Sequence, residues 1–313
     1  MGRLRHDPVV RATDGINPAA AGKAAVAGCR RGALMAKSDR ISDSTDRADP
    51  GGGPERGANE AEAFVNYYID QSLSSRSQRR FQEICNRVLQ HVPDRADEVL
   101  DVIDVGCGPG ELSLRFAACG HRVTGVDISR SLIETAQERA SRSGLVVDYR
   151  LASAEALPVP DASCDVCLCP ELLEHVPDWR ATLAELVRVL RPGGVLFLTT
   201  TNVLCPVQDE FRLPAYAWYP DVVKRRCIEL ARTRKPHWVN HADYPAFHWF
   251  SFFQLQRELE PMGFRCLDRF DTLDARPRSL KALARWSVQN LPGMRLLGQV
   301  LTPYTQLIAV RET

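Results

Sequence analysis

The sequence predicts an α/β fold built on a parallel sheet with helices on both faces. Three observations carry this. Apolar strands alternate with amphipathic helices between residues 99 and 201. The strands are apolar almost throughout rather than at every second position, the mark of a sheet covered on both sides. A glycine-rich turn joins the first strand to the helix after it. Such sheets bind ligands beyond the carboxyl ends of their strands, and the polar motifs of this chain sit at those ends.

Residues 1–60 are rich in Gly, Ala, Arg, Asp and Ser and show no sustained periodicity, so they bury too little apolar surface to offset chain entropy and are expected to be disordered. Arg3, Arg5, Arg11, Arg30 and Arg31 among alanines give a faint likeness to a transit peptide, against which Asp7 and Asp14 count; Met35 is an alternative start. The folded domain is expected over residues 61–313. Phe81, Ile84, Val88, Leu89 and Val92 fall at helical spacing and lead into it. A strand over Val99 to Val105, a helix over Glu111 to Cys119 and a strand over Arg122 to Ile128 follow. Ser131 and Glu134 form a capping-box pair for a helix running to Arg142. Val146 to Leu151 and Cys164 to Cys169 read as the next strands. Asp178 caps a helix with Leu183, Leu186, Val187 and Leu190 on one face, which Pro192-Gly193-Gly194 ends before a fifth strand, Val195 to Thr201.

Composition narrows the function. The 313 residues, 44% hydrophobic and 25% charged, suit one large domain with additions. The 40 Lys and Arg nearly balance 39 Asp and Glu, so no overall field draws the chain to nucleic acid, and no nucleic-acid partner is expected. Ten scattered Cys lack the paired spacings of a zinc knuckle or a disulfide scaffold, which suits a reduced, cytoplasmic protein. No apolar run approaches the roughly 20 residues that span a bilayer.

In Val102-Ile103-Asp104-Val105-Gly106-Cys107-Gly108-Pro109-Gly110 a strand enters a turn whose glycines let backbone pass close beneath a ligand. A dinucleotide loop would need a small residue at position 111, where this chain has Glu111. Asp127 ends the second strand, where an acidic residue accepts from both ribose hydroxyls of a nucleoside; the other reading is a cap for the following helix.

Further motifs stand at fixed intervals: Ala154-Glu155-Ala156-Leu157-Pro158 after the third strand, Cys169-Pro170-Glu171-Leu172-Leu173-Glu174-His175-Val176-Pro177-Asp178 after the fourth, and Val189-Leu190-Arg191-Pro192-Gly193-Gly194 before the fifth. Together with the glycine loop they resemble the type 11 methyltransferases, a family of the class I enzymes that use S-adenosyl-L-methionine, over about residues 95–201. The resemblance implies a Rossmann-like seven-stranded sheet closed by an antiparallel hairpin, here Phe264 to Phe270 with Thr305 to Arg311. It also implies that Asp104, Gly106, Gly108 and Gly110 contact the methionine portion of the cofactor, Asp127 with Ile128 the ribose, and Ser153, Ala154 and Glu155 the adenine edge. Pro170 would line the methionine side through its carbonyl. Ser153 departs from the family, which usually has Asp there. His175 follows an apolar helix position in the family pattern, which implies a structural role.

The insertions at residues 202–250 and 272–302 are expected to form a helical and aromatic lid. Tyr216, Trp218, Tyr219, Trp238, Tyr244, Phe247, Trp249, Phe250, Phe252 and Phe253 suit either an enclosure for a planar acceptor or a satellite core. Thr199-Thr200-Thr201-Asn202 and His248 with Phe253, Glu258 and Leu259 are similar in spacing to ubiquinone-pathway O-methyltransferases. The expected function is O-methylation of a small aromatic or lipophilic acceptor, with N- or C-methylation as alternatives. An NAD-dependent oxidoreductase and a non-catalytic nucleoside-binding protein are the rivals from other classes. His248 is the candidate base, because imidazole titrates near neutrality; a hydrogen-bonded structural histidine beside a helix beginning at Ser251 is the other reading. His237 and His241, with Asp243, have the spacing of a metal pair, but Pro236 and Pro245 disfavour a helix there and no third ligand stands out, so no metal is expected. From Arg276 to Val300, Arg278, Lys281, Arg285 and Arg295 alternate with Leu280, Leu283, Trp286, Leu291 and Leu297, a pattern that fits either weak peripheral membrane contact or a lid helix.

Overall fold

The computed structural model describes residues 66, 68–92, 98–207, 211–239, 246–271, 280–291 and 293–313. Residues 1–60, His241, Asp243, Tyr244, Arg276 and Arg278 lie outside the described residues, as do the side chains of Leu280, Lys281 and Arg285.

Seven strands form one sheet in the order β3-β2-β1-β4-β5-β7-β6. They are β1 (Asp101–Val105), β2 (Arg122–Asp127), β3 (Asp148–Leu151), β4 (Cys164–Pro170), β5 (Leu190–Thr201), β6 (Phe264–Asp268) and β7 (Tyr304–Arg311). The first five pair in parallel, while β7 runs antiparallel to both β5 and β6. This is the Rossmann-like sheet with a closing hairpin that the sequence led one to expect. Its order reverses between β1 and β4, where open α/β sheets place their ligands.

The helices relevant to the site are α1 (Ser75–Leu89), α2 (Glu111–Ala118), α3 (Arg130–Arg142), α4 (Trp179–Val189), α5 (Asp221–Thr233), α6 (Phe252–Leu259), α7 (Leu280–Asn290) and α8 (Met294–Val300). One face of the sheet is covered by α1 and α2: Ile84, Val88 and Leu89 pack with Leu112, Phe116, Val166, Leu168 and Phe197. The other is covered by α4 and α6, where Leu183, Leu186 and Leu255 meet Cys167, Leu196 and Leu198. Each such side chain, fully buried, contributes about 1.5–3 kcal/mol. Every second residue of β1 changes face, which places Val102 and Asp104 on the α1/α2 side and Ile103 and Val105 on the other.

Three expected boundaries move. The capping residue of α3 is Ser129, whose hydroxyl accepts from Leu132 N, and Ser131 merely meets the Ser129 hydroxyl at 3.0 Å, so the Ser131–Glu134 capping box does not form. Pro192-Gly193-Gly194 does not end α4. That helix stops at Val189, Leu190 already pairs with Cys164, and the next pair is Val195 with Val166, so residues 191–194 bulge from β5. The bulge brings Arg191 within 2.7 Å of Asp165 and 3.0 Å of Asp101. Strand β3 begins at Asp148, because Val146 stands 91% exposed before pairing starts. Asp178 does cap α4, accepting from Arg180 N and Ala181 N at 3.0 Å each.

The carboxy-terminal insertion is held by a buried polar network. Asp268 accepts from Arg295 Nε at 2.8 Å and Gln299 Nε2 at 2.9 Å, while Asn202 Nδ2 donates at 2.7 Å to the carbonyls of Gln299 and Thr302. Phe211, Tyr216, Cys227, Ala231 and Val239 form a small separate core with Tyr219, Trp238 and Trp249 against its edge.

Candidate functional site

A cavity of about 1180 Å³ lies over the carboxyl ends of β1, β2, β4 and β5, roofed by α1. Its first wall is the turn after β1. Gly106 N and Cys107 N donate to Val126 O at 2.8 and 3.1 Å, which locks the turn onto β2. Gly106, Gly108 and Gly110 all have positive φ (73°, 52° and 80°), a conformation that favours glycine. At Gly108 a Cβ would meet nothing within 4 Å, so this backbone faces open space in the cavity. Gly110 has a different reason. A Cβ there would overlap the Tyr149 hydroxyl, so packing and its position as the residue before α2 call for glycine, and it is not among the residues lining the cavity.

Asp104 is 1% exposed; its Oδ2 accepts from Ser113 Oγ at 2.6 Å and its Oδ1 is buried without a partner. Burial raises its carboxyl to about 6, against the pull of the Ser113 hydrogen bond and with help from the Asp127 charge. Asp127 meets the capping reading made from the sequence and also holds the glycine loop. Its Oδ1 accepts from Ser129 N at 2.8 Å, fixing the start of α3, and its Oδ2 accepts from Gly108 N at 2.9 Å, fixing the loop. Burial raises its carboxyl as well. Each carboxylate oxygen has a second lone pair for a ligand hydroxyl.

Ile128, Ser153, Ala154, Glu155 and Pro170 also line the cavity. Ser153 Oγ accepts from Glu155 N at 3.2 Å, and the Glu155 carboxylate accepts from Asp178 N at 3.0 Å, so the segment after β3 is tied to the start of α4. The buried orphan Oδ1 of Asp104 and the open cradle at Gly108 suit a nucleoside ligand bearing an ammonium group. Glu111 pairs with Arg139 at 2.6 Å and Arg115 at 3.1 Å, so position 111 holds a charged side chain where a dinucleotide loop packs a small one.

His248 is not among the residues lining this cavity. Its Nε2 stands 3.1 Å from the Val176 carbonyl, and its main-chain carbonyl accepts from Thr201 Oγ1 at 2.8 Å, next to α6, which Ser251 caps. His175 does line the cavity. The described aromatic residues of 202–250 are likewise absent from the lining: Tyr216, Tyr219, Trp238 and Trp249 belong to the satellite core, the second reading of that cluster, and Phe250 to the main core. Among the described residues no group of His, Cys, Asp and Glu is placed to hold a metal.

The far end of the cavity comes from α1 and the closing hairpin, which the sequence reading left without a role. Ser77, Arg80, Phe81, Ile84 and Arg87 face it from α1, with Phe197 and Thr199 of β5, Arg269, Phe270, Tyr304 and Gln306. Arg80 pairs with Glu171 at 2.8 Å, and Glu171 adopts φ 54°, strain of a kind that gathers at functional sites. The overlooked signal was arginine at i and i+7 on a helix face otherwise committed to the core.

Five parallel strands closed by an antiparallel hairpin, with a glycine turn after β1 and an acidic residue ending β2, define a Rossmann-like fold. Residues 103–198 match the family described as "Methyltransferase domain". The chain is 45% identical over 102 residues to the ubiquinone biosynthesis O-methyltransferase of Xanthomonas axonopodis pv. citri, covering 32% of this chain and 43% of that protein. It is 45% identical over 101 residues to the protein of the same name from Methylococcus capsulatus, covering 32% and 43%. The chain thus matches under half the length of these curated relatives. Among solved structures it is similar to the 1,6-didemethyltoxoflavin-N1-methyltransferase of Burkholderia thailandensis, with 20% identity, a TM-score of 0.47 and coverage of 85% and 94%.

Proposed function

We propose that the chain is an S-adenosyl-L-methionine-dependent methyltransferase acting on an oxygen of a small, partly apolar acceptor. The observation that carries this reading is the joint placement of Asp104, Gly106, Gly108, Asp127 and Pro170 around one cavity that continues, past Pro170, into an apolar and cationic chamber. The matched methyltransferase segment supports it, as do the names of the two bacterial relatives. Asp104 and the glycine turn would hold the methionine portion of the cofactor, Asp127 the ribose, and the Ser153–Glu155 segment the adenine. When bound, the cofactor supplies an activated methyl group.

The chain's own work is alignment and exclusion of water. Phe81, Ile84, Phe197 and Phe270 give the acceptor end an apolar wall, and α1 closes it from above. The imidazole that lines the cavity belongs to His175, so we assign it, in preference to His248, the role of receiving the acceptor's proton.

A screen of phenols, carboxylates and amines, read by release of S-adenosylhomocysteine, tests the proposal. Turnover with an oxygen acceptor supports it. Turnover confined to amines would move the reaction to nitrogen, and tight cofactor binding with no turnover on any acceptor would favour a non-catalytic nucleoside-binding protein.

A further inference from the structure

The acceptor end of the cavity is lined by cations and carboxylates together, Glu83 and Glu171 among the latter. Arg80, Arg87 and Arg269 all line it. Arg80 is matched by Glu171 at 2.8 Å. Arg87 has a weaker carboxylate partner: Glu83 lies 3.9 Å away and its side chain is 68% exposed, a pair that contributes little. The same guanidinium donates from Nη1 to Gln306 Oε1 at 3.1 Å. Because a guanidinium can only donate, this bond sets the orientation of the amide and turns Gln306 Nε2 away as a donor, and that nitrogen is buried with no partner. A buried unmet donor beside cationic groups is costly unless an acceptor atom fills the gap.

The sheet register says where this group of donors lies. Pro170 on β4 pairs with Thr199 on β5, and Thr199 pairs with Gln306 on β7. The three occupy one row on the α1 side of the sheet, so Gln306 stands two strand spacings, roughly 10 Å, from Pro170. Arg269 follows the last residue of β6, Asp268, whose partner on β7 is Leu307, next to Gln306. Its guanidinium is pulled down by burial and by the nearby charge of Arg87, against the opposing charge of Asp268. Phe81, Ile84, Phe197 and Phe270 line the remainder of this end.

We propose that the acceptor carries an anionic group, a carboxylate or a phosphate, seated on Arg87 and the unpartnered Gln306 Nε2, with its apolar body against Phe81, Ile84, Phe197 and Phe270. This inference rests on the methyltransferase reading for the word acceptor, but the anion site itself stands on the residues named. The anion anchors the molecule from the end opposite Pro170 and presents a nucleophile toward the cofactor end. Arg80, already matched by Glu171, closes the site on the side nearer Pro170.

The test uses the full chain and three probes of one shape: 2-naphthoate, 2-naphthyl phosphate and the neutral 2-naphthamide. Binding is followed by calorimetry with and without S-adenosylhomocysteine. At least one anion should bind tenfold or more tightly than the amide, the scale of one charge-assisted hydrogen bond. Preference for the carboxylate or for the phosphate identifies the headgroup. Arg87→Gln and Gln306→Leu should each erase most of that preference while S-adenosylhomocysteine affinity stays within twofold, which also shows that the variants are folded. Equal binding of the anions and the amide, or a preference that survives both substitutions, overturns the inference. Failure of S-adenosylhomocysteine to bind would instead overturn the methyltransferase reading and leave the anion result to be judged separately.

Discussion

Asp104 and Asp127 decide what the cavity can hold. In the folded protein Asp104 binds its proton more tightly than the unfolded chain does, at about 6 against the ordinary aspartate value of 3.8. Its contribution to stability is therefore fully present below pH 3.8 and is lost as pH rises through about 6. A difference of this size corresponds to about 3 kcal/mol of destabilisation at neutral pH. Asp104→Asn should melt higher than the wild type at pH 7.5, with the gain shrinking toward pH 5; a gain independent of pH would show that the buried charge is not its cause. The same ionisation bears on ligand binding. An ammonium group on the ligand prefers the carboxylate form, so S-adenosylhomocysteine affinity should climb as pH rises through about 6 and level off above about pH 7. Asp127, also raised by burial, pushes in the same direction. His175→Gln should lower turnover while leaving cofactor affinity near the wild type, and His248→Gln, whose ring meets the Val176 carbonyl and does not line the cavity, should change turnover little.

The helices set the shape of the acceptor end. In α1, Ile84 and Val88 are buried against the sheet while Arg80 and Arg87 line the cavity, so one helix both covers the core and supplies the chamber's charge. Ile84→Ala should cost about 2–4 kcal/mol in chemical denaturation, whereas Arg87→Gln should cost only about 1 kcal/mol, the hydrogen bond lost to Gln306. At α7 and α8 the lid reading loses support, since Leu283, Trp286, Leu291 and Leu297 are absent from the cavity lining and stand at least 40% exposed. Arg295, expected to face water or lipid, is committed to Asp268 and Asp271. If this exposed face meets lipid, vesicle co-sedimentation should be lost in a Trp286→Gln, Leu297→Gln double variant; vesicle binding unchanged by both would place the contact elsewhere.

Across the molecule, what the sequence made legible follows from period and punctuation. The β1–β5 alternation is a chain of short local patterns, the glycine turn and Asp127 at the end of β2 are each written in fewer than ten consecutive residues, and the structure has all of them. Two boundaries were misplaced because a glycine or a serine has more than one use: Gly193 and Gly194 make a bulge within β5 instead of a helix stop, and Ser129 caps α3 in place of Ser131. The acceptor end was not legible, because its residues come from segments more than 200 positions apart. Arg87 and Gln306 meet across 219 residues, and nothing in either neighbourhood announces the other. The aromatic run misled for the opposite reason, since Phe211 stacking on Tyr216 at 3.8 Å satisfies a local core and leaves little to face a ligand.

The central claim is that Asp127 and the glycine turn hold the nucleoside of S-adenosyl-L-methionine and not a dinucleotide. Titration calorimetry of S-adenosylhomocysteine and NADH against the wild type and Asp127→Ala tests it most directly. The first ligand should bind the wild type and weaken more than tenfold in the variant, as expected when hydrogen bonds to a charged acceptor worth about 1.5–3 kcal/mol each are removed; NADH should give no measurable heat. Tighter binding of NADH, or an S-adenosylhomocysteine affinity unmoved by Asp127→Ala, would contradict the account.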